Sequence, residues 1–313
     1  MQIIKRLDEI EKPIPNAIVT IGNFDGVHIG HQALLHTVIE KAHAVDGTAV
    51  AITFDPHPIR VLATNGHPPL ITMTQQKTEL IAKAGIDTLI CIPFDREFAA
   101  IAPREFVADL LVGRIGMKAL AIGRDYTFGR KREGNLAMLQ QWAPELGYEV
   151  MVVDWIRPSD NRFQRISSTR IRELVMAGDM DGAKRLLGRN YQIRGEVATG
   201  RDRGGKLLGF PTANINLQDE LSPKTGVYAV TVEHGGRILE GVANIGYSPT
   251  FDDHLFTVEV HILDFDQNIY GESIRVNFIQ RLRGEIKFKS IDALADQIRK
   301  DIDMAREILV GLR

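Results

Sequence analysis

The sequence predicts two domains of different class: an α/β half whose parallel sheet carries helices on both faces, then a small antiparallel β-barrel with a terminal helix. Three observations predict it. The chain has 313 residues, and domains run to roughly 100–200 residues each. Up to about Gly188, short apolar runs alternate with segments of helical periodicity, the mark of βαβ units. From Tyr191 onward the pattern changes to short strands separated by turn residues, as in small barrels.

Taken in order, Ala17–Ile21 (AIVTI) is an apolar strand ending in a glycine-rich turn, and a helix follows from about Gly30 to Ala44. Thr48–Phe54 is the next strand, stopped by Asp55-Pro56-His57-Pro58. Gln75–Ala84 reads as a helix closed by Gly85, Thr88–Ile92 as a strand, and Pro103–Val112 as a helix with proline at its start. Lys118–Ile122 and Glu149–Val153 complete the parallel set. In the second half Val227–Val232 alternates, and His234-Gly235-Gly236-Arg237 gives a hairpin turn. Leu239–Ile245, Thr257–Leu263 and Ile274–Ile279 are further strands. Ser290 caps a last helix with Asp292 in its first turn, and Ile291, Leu294, Ile298, Ile302 and Leu309 form a stripe expected to pack on the core. The domains are therefore drawn as 1–186 and 187–313.

Composition narrows the function. Apolar residues make up 44% and charged residues 25% of the chain, values of a globular protein. The net charge of −2 has no long run of one sign behind it, which argues against an extended nucleic-acid surface. The single cysteine, Cys91, lies in an apolar run and is expected to be a buried strand thiol; one cysteine also excludes intrachain disulfides and cysteine-based zinc sites. The first residues, MQIIKRLDEIEKPIP, carry charges throughout and no stretch of 18 apolar residues occurs, so neither a signal peptide nor a membrane span is expected. The expectation is a cytoplasmic chain acting on small molecules, without nucleic-acid or membrane partners.

The strongest local signal is Gly22-Asn23-Phe24-Asp25-Gly26-Val27-His28-Ile29-Gly30-His31, which follows a strand and opens a helix. Backbone N–H groups at a helix start carry partial positive charge and favour phosphate, and glycines let that backbone approach a ligand closely. His28 and His31, three apart, share a face and can donate to a triphosphate and to charge developing at its α-phosphorus. No Gly-Lys-Ser/Thr follows, and the glycine spacing does not fit the dinucleotide fingerprint. HxGH alone also fits a plain helix N-terminus bearing two surface histidines.

Ile166-Ser167-Ser168-Thr169-Arg170-Ile171-Arg172 begins a second helix whose hydroxyls and arginines suit polyphosphate; an ordinary capped helix start is the other reading. An HxGH turn paired with a later Ser/Thr-Arg turn resembles the nucleotidyltransferase superfamily, in which a substrate anion attacks the α-phosphate of ATP and pyrophosphate leaves. In the second half a basic glycine-rich loop, Gly200–Gly209, runs into Phe210-Pro211-Thr212-Ala213-Asn214. It reads either as a phosphate-wrapping loop followed by hard oxygen ligands for Mg²⁺ or as a flexible hairpin before a proline turn.

GNFDGVHIGH, TFDPHP, GRDYTFG and ISSTRIR, followed by GFPTAN, ANIGYSPTF, EVHILDFDQNIYGE and RGEIKF, together resemble the bacterial bifunctional riboflavin kinase/FMN adenylyltransferase (FAD synthetase) family, in its order and over almost the whole chain. The resemblance implies a nucleotidyltransferase-type, Rossmann-like first domain that adenylylates FMN and a barrel that phosphorylates riboflavin, both with ATP and Mg²⁺. It implies that Gly22, Phe24, Gly26, His28, Gly30, His31, Ser168, Thr169 and Arg172 bind ATP in the first domain, and that Asn23 and Asp125 lie at its FMN and ATP site. In the barrel it implies Gly204, Lys206, Gly209, Thr212 and Asn214 for ATP, Thr212 and Asn214 for Mg²⁺, and Glu259 as general base for the ribityl 5′-hydroxyl. On a strand Glu259 and His261 share one face, opposite Val258, Val260 and Ile262. One departure stands out. The family's GxD segment usually carries an aromatic residue then arginine, whereas Tyr126 and Thr127 stand here; Arg130, Lys131 and Arg132 follow as candidate substitutes.

Two rivals remain. His28-Ile29-Gly30-His31 is also the HIGH of aminoacyl-tRNA synthetases, but the acidic balance, the lack of KMSKS and the GFPTAN segment oppose a tRNA enzyme. A non-catalytic flavin or nucleotide sensor would have no need of every candidate catalytic side chain.

Overall fold

All five residues of Ala17–Ile21 are buried, as a central parallel strand covered on both faces requires. In the computed structural model, which describes residues 1–64, 66–154, 156, 165–198, 209–217, 219–247 and 256–311, this strand is β2. It lies in a six-stranded parallel sheet with β1 (Gln2–Ile4), β3 (Thr48–Asp55), β4 (Thr88–Pro93), β5 (Met117–Gly123) and β8 (Glu149–Val153), in the order β1-β4-β3-β2-β5-β8. Two apolar cores form, one on each face: Val19, Ile52, Ile90 and Leu120 belong to one, and Ile18, Ala51, Leu89 and Ala121 to the other. Adjacent residues of each strand feed opposite cores, which is the period of two read on a sheet buried twice.

The chain leaves β2 for β3 and β4 on one side and later returns to β5 and β8 on the other. The strand order thus reverses between β2 and β5. Crevices at the carboxyl ends of strands flanking such a reversal are where open α/β sheets bind ligands. Helices α1 (Ile29–Ala44), α2 (Pro58–Leu62), α3 (Thr74–Lys83), α4 (Pro103–Glu105) and α5 (Leu136–Leu146) connect the strands, and a two-stranded ribbon, β6 (Thr127–Phe128) and β7 (Gly134–Asn135), precedes α5. The helix expected over Pro103–Val112 is α-helical only through Glu105. It continues as a π-helix over Phe106–Ile115, whose wider pitch the apolar spacing does not encode.

The second unit contains α6 (Ser168–Ala177), α7 (Met180–Leu187) and six strands: β9 (Tyr191–Ala198), β10 (Ala213–Asn216), β11 (Gly226–His234), β12 (Arg237–Tyr247), β13 (Phe256–Ile262) and β14 (Ser273–Arg283). The strands close an antiparallel barrel in the order β10-β13-β12-β11-β14-β9. Val258, Val260, Val230, Val232, Tyr228 and Phe278 are among its buried side chains. Gly235 and Gly236, with φ of 54° and 75°, make the two-residue hairpin that pairs His234 with Arg237. The terminal helix, α8 (Ile291–Val310), is capped by Ser290, whose Oγ accepts from Ala293 N at 3.2 Å.

The expected stripe on α8 is partly corrected. Leu309 and Ile302 do pack against Val227, Ala229 and Val242, but Ile291 is 71% exposed. The buried positions are Ala295, Asp301, Ala305 and Leu309. The same side of the helix also buries Asp301, which receives the Arg283 guanidinium in a bidentate pair, Nε–Oδ1 2.9 Å and Nη2–Oδ2 2.7 Å. By packing, the chain divides into compact units at Met1–Ser168 and Thr169–Arg313. The segment that this division and the sequence-drawn boundary assign differently is α6 and α7. Lys224 N donates to Val175 O of α6 at 3.2 Å, and α7 buries Met180, Ala183, Leu186 and Leu187.

Candidate active sites

The turn that leaves β2 is unusual in its backbone. Phe24 and Val27 have φ of 48° and 38°, and Gly26 has 86°. Positive φ is strained for a β-branched valine and persists only where the surroundings over-determine it, as ligand-binding turns do. Asp25, 3% exposed, holds the turn: its Oδ1 accepts from Ile71 N at 3.0 Å and Thr72 N at 3.1 Å, while Gly26 N donates to Thr72 Oγ1 at 2.9 Å. Ser168 Oγ donates to Asp25 O at 2.9 Å, so the second motif begins on the first one's backbone. Thr169 and Arg172 follow in the first turns of α6, Arg172 four residues after Ser168 and hence on its face.

His28 is not inside α1 but caps it. Its Nδ1 accepts from His31 N at 3.2 Å, which leaves Nε2 as the N–H donor of a neutral ring. The two imidazoles stack with centroids 3.6 Å apart and planes 14° apart, and Phe24 meets His31 edge-on at 5.3 Å. His28 is 6% exposed rather than a surface residue. Gly30 permits this arrangement, because a Cβ there would stand 3.2 Å from His28 Cε1. Gly22 lies against the Phe24 ring in the same way, since a Cβ there would stand only 3.2 Å from the ring's Cε1 and Cζ.

Asn23 has an exposed side chain, and its carbonyl is engaged from below. Lys77, 5% exposed on α3, donates to Asn23 O at 3.3 Å, Thr53 Oγ1 at 3.0 Å and Phe54 O at 3.2 Å. Burial pushes its ammonium below the ordinary lysine value, against the pull of Cys91, Asp25 and Asp55. Cys91 is half-buried on β4, and burial pushes its thiol up.

Across the reversal, Asp125 follows β5 and forms an ion pair with Arg165. At the departed position, Thr127 Oγ1 accepts from Arg132 Nε at 2.9 Å, so an arginine reaches back to where the family segment carries one. Six rings run in a chain of contacts near these strand ends: Phe54–Phe94 at 5.4 Å, Phe94–Phe98 at 5.8 Å, Phe98–Phe106 at 6.1 Å, Phe106–Phe128 at 5.9 Å and Tyr126–Phe128 at 5.6 Å.

In the barrel, register assembles the second set. Glu259 on β13 lies opposite Asn214 of β10 and opposite Asn244 of β12. Burial pushes the Glu259 carboxyl above the ordinary glutamate value, and a hydrogen bond from Asn244 opposes this. Val258, Val260 and Ile262 are buried while Glu259 and His261 are half-buried, so the two polar residues do share the outer face. His261 Nδ1 donates to Pro211 O at 2.8 Å, and its ring meets Phe210 edge-on at 5.6 Å, which ties the segment leading into half-buried Thr212 to the strand of Glu259. Gly209 has φ of 79°. Gly204 and Lys206 lie outside the described residues. Among the described residues no cluster of three or more His, Cys, Asp or Glu could hold a metal.

Sequence reasoning missed Lys77, Asp25, Thr72 and Asn244 as site residues. Lys77 carried a signal, since it stands four residues before Ile81 on the apolar stripe of α3, where a charge is costly unless it is used. Asn244 carried none, because its place beside Glu259 depends on the pairing of distant strands.

A strained, histidine-bearing helix start stands at a strand-order reversal of the α/β unit, and a raised carboxyl flanked in register by two amides stands on the barrel; the first suits phosphate-bearing ligands and the second proton transfer, features that suit a transferase. A family model described as FAD synthetase matches residues 10–170, and one described as riboflavin kinase matches residues 187–309. The chain belongs to the bifunctional riboflavin kinase/FMN adenylyltransferase family. The member from Haemophilus influenzae is 40% identical over 98% of this chain and 98% of its own, and that from Escherichia coli (strain K12) is 38% identical over 98% and 97%. A crystal structure described as a macrolide-efflux protein from Streptococcus pneumoniae has the same fold, with a TM-score of 0.86, 33% identity and coverage of 97% of this chain and 98% of that one. Among the described residues no helix is long and apolar enough to cross a membrane. The chain thus phosphorylates riboflavin to FMN and adenylylates FMN to FAD.

Proposed function

We propose that both reactions draw on ATP with Mg²⁺, and that the residues above divide the work as follows. In the barrel, riboflavin presents its ribityl 5′-hydroxyl to Glu259. The carboxylate takes the proton as the hydroxyl oxygen bonds to the γ-phosphorus and the bond from that phosphorus to the β-phosphate oxygen breaks, giving FMN and ADP. A raised carboxyl suits this role, because a base is most effective when its pKa approaches the working pH. Asn244 orients the carboxylate, and His261 holds Pro211 and so the Thr212–Asn214 segment beside it. Thr212 Oγ and Asn214 Oδ1 are hard oxygen donors suited to Mg²⁺, which takes few protein ligands and leaves the rest to phosphates and water. The absence of a carboxylate cage among the described residues fits that mode. When bound, Mg²⁺ supplies charge neutralisation at the transferring phosphate.

In the α/β unit, the FMN phosphate attacks the α-phosphorus of ATP and pyrophosphate leaves. His28 Nε2–H, His31 and the start of α1 hold the charge developing there. The half-buried rings Phe54, Phe94, Phe98 and Tyr126 offer the flat apolar surface that a flavin ring system needs, with Asp125 and Asn23 at the same strand ends. The observation that supports the reading most directly is the half-buried Glu259 flanked in register by Asn214 and Asn244.

Labelled ATP tests it. Given riboflavin and Mg²⁺, ATP labelled at the γ-phosphorus should label FMN, whereas ATP labelled at the α-phosphorus should leave FMN unlabelled and label FAD. Chelation of Mg²⁺ should stop both transfers. Label from the α-phosphorus in FMN would sink the scheme.

A further inference from the structure

A lysine that is 5% exposed inside an α/β core calls for an explanation, because burying an ammonium costs several kcal/mol unless it is fully used. Lys77 is fully used. It has three N–H donors and meets three oxygens: Asn23 O at 3.3 Å, Thr53 Oγ1 at 3.0 Å and Phe54 O at 3.2 Å. These acceptors belong to one turn and to the end of one strand. Asn23 opens the strained turn between β2 and α1, and Thr53 and Phe54 end β3 where the chain enters Asp55-Pro56-His57-Pro58. Thr53 Oγ1 also donates to Asn23 O at 3.3 Å, so cation, hydroxyl and carbonyl form one closed set between the turn and the strand end. β2 and β3 are neighbours in the sheet, but their ladder ends at Ile21 and Ile52. Beyond that point the Gly22 N to Ile52 O bond of 3.1 Å and the Lys77 set join the two departing segments.

We infer that Lys77 is a positioning residue for adenylyl transfer: at the carboxyl ends of β2 and β3 it fixes the carbonyl of Asn23 and the end of β3, and so sets where the His28–His31 turn presents its donors. The inference rests on the reading of that turn as the adenylyl-transfer site. It requires the protonated amine. A neutral amine has two N–H groups for three acceptors and turns its lone pair toward the third. The groups facing the ammonium are Asp25 from the β2–α1 turn, Asp55 at the end of β3 and Cys91 on β4. Burial lowers the Lys77 pKa and these three raise it again, with burial the larger effect. Adenylyl transfer should therefore fall on the alkaline side as Lys77 loses its proton, at a pH below the ordinary lysine value.

The test uses the full chain and reads both activities on one preparation. Lys77→Met keeps the length and removes charge and donors. It should lower kcat for FAD formation by about 10²-fold, the effect of a displacement of roughly 1 Å at the reacting groups, with a smaller change in the KM for ATP and riboflavin phosphorylation unchanged. Lys77→Arg keeps charge and donors; it should retain more of the rate than Lys77→Met and lack the alkaline fall, since a guanidinium does not titrate there. A well-folded Lys77→Met at the parental kcat overturns the inference. Should Lys77→Met not fold, an alkaline fall unchanged in Lys77→Arg overturns it instead. His28→Ala and His31→Ala keep the two ideas apart. If they make FAD at the parental rate, the reading of the turn fails; if they lose it and Lys77→Met does not, only the inference about Lys77 fails.

Discussion

Glu259 is where burial and chemistry meet most directly. Its carboxyl binds a proton more tightly than an ordinary glutamate, chiefly because burial disfavours the charge. On the proposal that Glu259 is the base, only its carboxylate can accept the 5′-hydroxyl proton, so riboflavin phosphorylation should weaken as pH falls through a value above the ordinary glutamate range. Glu259→Gln should cost about 10²–10⁴-fold in that step and abolish the acid dependence, while FAD formation from supplied FMN persists; rates for both steps across pH decide it. A Glu259→Gln enzyme at the parental rate means the base lies elsewhere. At this scale the sequence was legible where the proposed site residues stand in local motifs. His28, His31, Thr212, Asn214 and Glu259 sit in contiguous motifs. Lys77 and Asn244 do not, because each acquires its neighbours only when segments far apart in sequence pair.

Among elements, α8 shows the limit of periodicity. Its isoleucines and leucines suggested one face, and that face packs from Leu294 onward, but Ile291 in the first turn lies in solvent and the bidentate Arg283–Asp301 pair adds a buried charge that periodicity does not reveal. Asp301 is 3% and Arg283 16% exposed at the side chain, and Gln297 Nε2 donates to Asp301 Oδ1 at 2.9 Å. Removing one partner strands the other. Asp301→Ala should cost about 3–5 kcal/mol, whereas replacing both residues by apolar ones of similar volume should cost far less; urea unfolding of the two variants beside the parent chain measures the difference. The central strands were legible because doubly buried strands are continuous apolar runs. β1 was not, since three residues at a sheet edge carry too little pattern to identify.

For the whole molecule, the question is how independently each unit works. Matches to two separate family models, and a division into two compact units, both favour modularity. We expect fragments 169–313 and 187–313 to phosphorylate riboflavin and make no FAD. The longer should be the more stable, because α6 and α7 contribute Leu174, Val175, Met180 and Leu187 to buried surface. Melting curves and product chromatography on the pair test this. A folded 169–313 fragment without kinase activity would count against the assignment of the barrel. Fold class was legible at this scale, since a change of period from helical to alternating marks a change of architecture whatever the details. The fate of α6 and α7 was not, because a helix between two domains can pack on either.

The barrel's closure has one more consequence. Every one of its strands has two neighbours among the described residues, and the closure is thinnest between β9 and β10, which pair only at Ala198 with Asn214 and Val197 with Ile215. The α/β unit is open, with β1 and β8 at its rims, and these are short, at three and five residues. Main-chain pairing with another chain therefore meets brief rims in the adenylylating half and, in the barrel, the one seam where β9 outruns its partner β10.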